Sequence, residues 1–193
     1  MLLSDSAIRK RLQSQSICLE YIPDTPEFNV YDQINPASLD FRLGNNFKLY
    51  KRDKTILIDP RDEQWRYVEE VIVPRDGYFI IHPGQFVLGV TMESIHIPSD
   101  LVGICEWKSS IGRLWLIIHS TAGLINPWRK GTITLEMTNL NEVPIKIYPG
   151  MKIGQYLFQT IEWQVEITYD KKVDSKYQWQ IGVQESKFYK DNK

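Results

Sequence analysis

The chain has 193 residues, 42% of them hydrophobic and 24% charged, with a formal net charge of -1; this is the profile of one globular domain built on a single core. Such a balance excludes the basic footprint of a protein that grips a nucleic-acid polymer, so any phosphate contact has to come from local arrangement. Cys18 and Cys105 lack the pattern of a disulfide framework, no apolar run reaches bilayer-spanning length, and the first five residues carry no signal-peptide pattern, which together predict a cytoplasmic protein with two inert buried thiols and no membrane partner.

Ser4 or Asp5 can cap a short helix through about Leu12, with Ile8 and Leu12 on one face. Beyond it the period changes. From Ser38 onward, short runs of Val, Ile, Leu and aromatic residues alternate with Pro and Gly, and strands are expected at 47–50, 70–73, 78–81 and 86–90. Further strands are expected at 101–105, 114–118, 132–138, 143–147 and 154–158. Turn signals stand at Asp76-Gly77, His82-Pro83-Gly84 and Tyr148-Pro149-Gly150. Many short strands at this spacing favour a mainly β barrel or sandwich over alternating β and α units. Lys51-Arg52-Asp53-Lys54 reads as solvated surface. The stretch from about Lys171 to Lys193 is polar with isolated aromatics, a tail that has to dock on something to be ordered.

Several common sites are absent. A zinc-dependent nucleobase deaminase places a His or Cys ligand before a Cys pair, with a Glu beside the first ligand; His82, His96 and His119 each stand alone. The phosphate loop of nucleotide hydrolases, the dinucleotide-binding glycine pattern and the serine-hydrolase elbow are missing as well. What remains is Lys108-Ser109-Ser110-Ile111-Gly112-Arg113. Two hydroxyls, two cations and a glycine make a cradle for phosphate oxygens, although a polar turn between strands has the same composition.

Downstream, Thr132 to Thr138 alternates strictly. Ile133, Leu135 and Met137 point to one face, and Thr132, Thr134, Glu136 and Thr138 to the other. Glu136 is the only ionisable group on the polar face. It reads either as part of a solvated sheet surface or as a proton-relaying carboxylate in a pocket. Between the two elements, the loop from His119 to Gly131 carries small residues at Ala122 and Gly123 that would let a planar base lie against the backbone.

In this order the motifs resemble those of dCTP deaminase, in the superfamily it shares with dUTPase and the bifunctional dCTP deaminase/dUTPases. The resemblance runs from Met1-Leu2-Leu3-Ser4-Asp5, through Gln33-Ile34-Asn35-Pro36-Ala37-Ser38-Leu39-Asp40-Phe41-Arg42-Leu43-Gly44, to Lys176-Tyr177-Gln178-Trp179-Gln180. It implies a distorted β-barrel or jelly-roll-like, dUTPase-type fold with a short N-terminal helix, spanning 1–193 as one domain whose tail, about 171–193, closes over the site. It also implies a homotrimer with active sites at subunit interfaces, magnesium carried on the nucleotide triphosphate, and no zinc.

The implied activity is hydrolytic deamination of dCTP to dUTP and ammonia, in pyrimidine deoxynucleotide metabolism. Glu136, Arg113 and Ser109 are carried over as the catalytic centre. Lys108 and Ser110 are carried over as phosphate contacts, Thr121 and Ala122 as holders of the base edge, and Asn126 as a contact of the deoxyribose 3′-hydroxyl. Tyr169, Lys176 and Gln180 match positions of a tail closing over the triphosphate.

The chain departs from the family pattern at Trp107 (usually Gly), Lys108 (usually Arg), Asn126 (usually Asp), Trp128 and Arg129. An amide at 126 cannot serve as the base that activates water for phosphate hydrolysis, whereas Thr121-Ala122-Gly123 resembles the bifunctional subgroup. Bifunctional cleavage to dUMP, use of a modified deoxycytidine nucleotide, and a nucleotide-responsive regulator are the alternative readings.

Overall fold

Runs that bury one face and soon meet Pro or Gly fold into short strands, and this chain is built almost wholly of them. The computed structural model describes residues 1–21, 29–51, 57–118 and 122–191. Helix α1 spans Asp5–Gln13 and buries Ile8 and Leu12, one turn apart. Asp5 in its first turn and Lys10 and Arg11 in its last complement the helix dipole. Ser4 takes the N-cap position without a side-chain capping bond; its Oγ instead lies 3.0 Å from Ser6 Oγ.

The strands before the next helix are β1 (Cys18–Tyr21), β2 (Ile34–Asn35), β3 (Ser38–Arg42), β4 (Asn46–Tyr50), β5 (Val68–Ile72), β6 (Phe79–Ile81), β7 (Phe86–Val90), β8 (Glu93–His96) and β9 (Leu101–Trp107). A one-turn helix, α2 (Ser109–Gly112), follows. After it come β10 (Leu116–Ile118), β11 (Leu124–Ile125), β12 (Lys130–Gly131), β13 (Thr134–Asn139), β14 (Ile145–Ile147) and β15 (Lys152–Thr160). Two five-stranded sheets, β10-β13-β7-β4-β5 and β11-β9-β15-β3-β2, stand with the smaller sheets β1-β8-β12 and β14-β6. All these strand pairs are antiparallel. This is the expected mainly β, distorted jelly-roll-like arrangement, and among the described residues it does not close into one continuous barrel.

The core fills the space between the sheets with Leu39, Phe41, Phe47, Ile95, Leu101, Leu135, Met137, Tyr156 and Phe158. Gly154 on β15 makes room for the Phe41 ring, which a Cβ at that position would strike. A polar knot crosses this core. The backbone N–H of Arg42 donates to Glu93 Oε2 (3.0 Å), and the Arg42 side chain donates to Gln33 Oε1 (2.9 Å) and to the Gly150 carbonyl (2.8 Å). Burial pushes the Glu93 carboxyl up to about 7, against the bond from the Arg42 N–H.

Each predicted strand has an observed counterpart, several with displaced ends. The stretch predicted at 114–118 begins only at Leu116. Residues Ser109–Gly112 turn helically instead, with the Gly112 and Arg113 N–H groups donating to Lys108 O and Ser109 O at 3.0 Å each. The thiols differ from expectation too. Cys105 is buried, and burial raises its pKa, but Cys18 is only half-buried and its Sγ donates to the Gln15 carbonyl at 3.0 Å. Of the stretch read as solvated surface, Lys51 is half-buried and 52–54 lie outside the described residues. Among the described residues, no helix is long and apolar enough to cross a membrane.

Candidate functional site

Strand β13 alternates as its sequence predicts. Leu135 and Met137 are fully buried, while Thr134, Glu136 and Thr138 are half-buried on the opposite face. Pairing with β7 sets Glu136 opposite Leu88. Phe86 and Leu88 of β7, with Tyr50 at the end of β4, then form one wall of a cavity of about 410 Å³ that Glu136 also lines.

The segment between β10 and β12 supplies a second wall through Ala122, Leu124, Asn126 and Arg129. The C-terminal stretch supplies the third through Tyr169, Tyr177, Gln180, Gln184, Glu185 and Ser186. Glu136, Ala122, Asn126, Tyr169 and Gln180 thus meet at one cavity. Thr121 lies outside the described residues.

Docking of the tail follows from specific bonds. Thr132 N–H donates to the Gln180 carbonyl and Trp179 N–H to the Lys130 carbonyl, both at 2.8 Å. Gln180 Nε2 donates to Thr134 Oγ1 at 2.7 Å, and the Gln184 N–H donates to the same oxygen at 3.2 Å. Gly131 is required where the chains meet. Its φ is 130°, and a Cβ on it would stand 2.6 Å from the Gln180 nitrogen. The Lys48 ammonium closes the other side, 2.7 Å from Glu185 Oε2 with both side chains largely shielded from water.

Near Glu136, burial and then the charges of Glu185 and Glu136 raise the pKa of the Tyr50 hydroxyl, so the phenol stays neutral beside the carboxylates. Arg129, which lines the same cavity, is only 6% exposed. Its guanidinium donates to the carbonyls of Lys130 and Thr132, and burial lowers its pKa, against the influence of Tyr169. Trp128 precedes it with a φ of 65°, a left-handed conformation rare for a bulky residue, and its ring meets His96 edge-on at 5.1 Å.

The remaining candidates lie elsewhere. Lys108, Ser109, Ser110 and Arg113 do not line the cavity. Lys108 Nζ is 2.8 Å from Asp40 Oδ1, and Lys152 Nζ is 3.2 Å from Asp40 Oδ2, so two ammonium groups share one buried carboxylate. Ser109, Ser110 and Arg113 are exposed, among the exposed apolar surfaces of Trp107, Leu114 and Trp115. The Trp107 indole rests on α2, where a Cβ at Gly112 would be 3.1 Å from its Nε1. Lys176 is also outside the cavity lining, paired with Asp191.

Tyr50, Phe86, Leu88, Tyr177 and Glu185 are cavity residues that the sequence does not single out. Their only signal is membership of apolar runs or of the tail, and the pairings that gather them join residues far apart in the chain. Chemically, the site offers the carboxylates of Glu136 and Glu185, the neutral Tyr50 phenol, amide and hydroxyl groups, and the Arg129 guanidinium. No group of three or more His, Cys, Asp or Glu among the described residues is placed to hold a metal ion.

The family model described as dCTP deaminase-like matches residues 2–161. A protein of Haloarcula marismortui named dCTP deaminase is 42% identical over 193 residues, covering 99% of this chain and 96% of that one. A protein of Dictyoglomus turgidum named dCTP deaminase, dUMP-forming, is 41% identical over 188 residues, covering 97% of this chain and 94% of that one. Among solved structures, the 2'-deoxycytidine 5'-triphosphate deaminase of Agrobacterium tumefaciens superposes with a TM-score of 0.61 at 25% identity, over 81% of this chain and 46% of that one.

Proposed function

Because the chain belongs to the dCTP deaminase-like family, we propose that it hydrolyses dCTP to dUTP and ammonia, with Glu136 moving the protons. The observation that carries this reading is the place of Glu136, the ionisable group of an alternating strand, at the wall of the cavity beside Asn126, Ala122 and Gln180. A carboxylate there takes a proton from the water whose oxygen adds to C4 of cytosine. It delivers that proton to N3, then takes the proton of the new C4 hydroxyl and passes it to the departing amino group, so that ammonia leaves as the C4 carbonyl forms. Asn126 accepts from the sugar 3′-hydroxyl, the backbone at Thr121 and Ala122 holds the base edge, and Tyr169 acts with Lys176 and Gln180 of the tail, about 171–193, which closes over the triphosphate.

The active unit in this reading is a homotrimer. The separation of Lys108, Ser109, Ser110 and Arg113 from the cavity within one chain, and their exposure among Trp107, Leu114 and Trp115, support a site completed by a second copy. There Lys108 and Ser110 meet the phosphates, while Ser109 and Arg113 orient water and base. Mixing Glu136→Gln subunits with Arg113→Ala subunits restores activity if the two residues serve one site from different chains.

Magnesium would come in with the substrate, where it would neutralise triphosphate charge. Mg²⁺ keeps several waters and takes nucleotide phosphate oxygens as ligands, so it would need no dedicated protein cage. No zinc takes part in this reading, and the reaction runs in the cytoplasm, away from membranes and nucleic-acid polymers.

A second reading, conversion onward to dUMP, is favoured by the relative named dUMP-forming. It is opposed by Asn126, whose amide cannot act as the base for a hydrolytic water. Chromatography of products from dCTP and dUTP with magnesium tests both. dUTP without pyrophosphate is the expected result, dUMP with pyrophosphate establishes the second reading, and unchanged nucleotides overturn both.

A further inference from the structure

Strand β7 is apolar on both of its faces. Val87 packs in the main core, while Phe86, Leu88 and Val90 alternate with it onto the opposite face, where Leu88 is 6% and Val90 3% exposed. A face that apolar needs a cover. The C-terminal stretch supplies it through Val183, which is 5% exposed and joins Leu88, Val90 and Phe86 in an apolar cluster distinct from the main core.

Register sets polar groups on either side of this cluster. In the sheet order β13-β7-β4, Glu136 of β13 and Lys48 of β4 both stand opposite Leu88, so Glu136, Leu88 and Lys48 form one row on the cavity face. Thr134 stands opposite Val90 on the same face. On the β13 side, the Gln184 N–H donates to Thr134 Oγ1 at 3.2 Å, and the Thr134 hydroxyl donates to the Gln184 carbonyl at 3.3 Å. On the β4 side, the next residue, Glu185, meets the Lys48 ammonium at 2.7 Å, across 137 positions of sequence. Residues 183–185 therefore cross β13, β7 and β4 as a strap, and Gln184, Glu185 and Ser186 line the cavity that Glu136 also lines.

We infer that Lys48 is a positioning residue for the deamination: through Glu185 it clasps the strap to β4 and fixes the cavity wall made by Gln184, Glu185 and Ser186. The inference rests on the reading of this cavity as the nucleotide site. Side-chain exposures of 17% for Lys48 and 19% for Glu185 shield the pair from bulk water, where it is screened less than an exposed pair. Val183 holds the strap down, and the ion pair sets its register. A slip by one residue would turn Val183 away from Leu88 and carry Glu185 away from Lys48. Because the cluster under the strap is separate from the main core, loosening the clasp disturbs this wall while the sheets stay folded.

The test combines steady-state kinetics of ammonia release from dCTP with amide hydrogen exchange. It uses the intact wild-type chain, Glu185→Gln, Lys48→Met, the two combined, and Lys48→Arg. Each neutralising variant is expected to raise KM about tenfold, between the effects of an exposed and a buried pair, with kcat changed by less than about threefold. Exchange should quicken over 182–186 and stay as in wild type over the main-core strands, a pattern that general destabilisation does not give. The combined variant should match either single one, since both remove the same clasp, and Lys48→Arg should keep a KM near wild type. If Lys48→Met fails to fold, Glu185→Gln and Lys48→Arg decide the matter. A wild-type KM in Glu185→Gln, with or without faster exchange, overturns the positioning role, as do losses in the combined variant equal to the sum of the two. A wild-type protein that does not turn over dCTP overturns the nucleotide reading and the positioning role with it, whereas intact turnover with unchanged exchange in Glu185→Gln overturns the clasp alone.

Discussion

Gln180 Nε2 donates a 2.7 Å hydrogen bond to Thr134 Oγ1, and Thr134 stands two residues before Glu136 on the same face of β13. The tail is thereby tied to the strand that carries the carboxylate. Thr134→Val keeps the β-branched shape but removes the oxygen shared by Gln180 and Gln184, at a cost on the order of 1–3 kcal/mol for the donors left without a partner. The expected outcome is a KM for dCTP raised roughly tenfold, a smaller change in kcat, and faster amide exchange over 178–184. An unchanged KM with unchanged exchange contradicts this account of the tail.

Asp40 holds two ammonium groups at once, Lys108 at 2.8 Å and Lys152 at 3.2 Å, and accepts from Asn35 Nδ2 at 2.8 Å. Asp40→Ala leaves both cations crowded without a counter-ion. Removing one side of a buried ion pair costs roughly 3–5 kcal/mol, which for a chain of this size lowers Tm by about 10 °C. Lys108→Ala, by contrast, removes one of the two partly exposed ammonium groups while Lys152 still neutralises Asp40. It is expected to melt close to wild type and to lose nucleotide affinity. Calorimetric melting of the two variants separates the outcomes, and equal losses in Tm would contradict the shared-carboxylate picture.

Glu93 makes stability depend on pH. Its carboxyl is raised to about 7 in the folded chain, chiefly by burial, above the value of about 4.3 for an exposed glutamate. Between these values the folded state holds a proton that the unfolded state has released, so this group's contribution is fully present below about 4.3 and is lost as pH rises through 7. The loss is at most about 1.4 kcal/mol per pH unit in that window. Glu93→Gln cannot ionise, so its stability relative to wild type is expected to improve between pH 5 and pH 8 in denaturant titrations. A difference that stays constant across that range would show that Glu93 does not titrate as described.

The legible parts of this chain were those with local periodicity. Ile133, Leu135 and Met137 announced their buried face because residues two apart in a strand share a side, and Ile8 and Leu12 did the same for α1. The Lys108–Arg113 segment showed its chemistry but not its shape, since a single helical turn is too short to leave a period. Buried polar groups were not legible. Nothing periodic marks Glu93, Asp40 or Arg129 as buried, and only pairing with Arg42, Lys108 and the 130–132 backbone makes their burial tolerable. The cavity was half visible for the same reason. Glu136, Asn126 and Gln180 sit in recognisable motifs, whereas Tyr50 and Glu185 reach the cavity through β4 pairing and through the Lys48 contact.

The most direct measurement is ammonia release from dCTP with magnesium by wild type and by Glu136→Gln, alongside dCTP binding to each. Wild type should release one ammonia per dUTP formed, and Glu136→Gln should bind dCTP while its release falls by at least about 100-fold, the lower range for a lost proton-transfer group. Turnover in Glu136→Gln equal to wild type would contradict the assignment of proton transfer to Glu136.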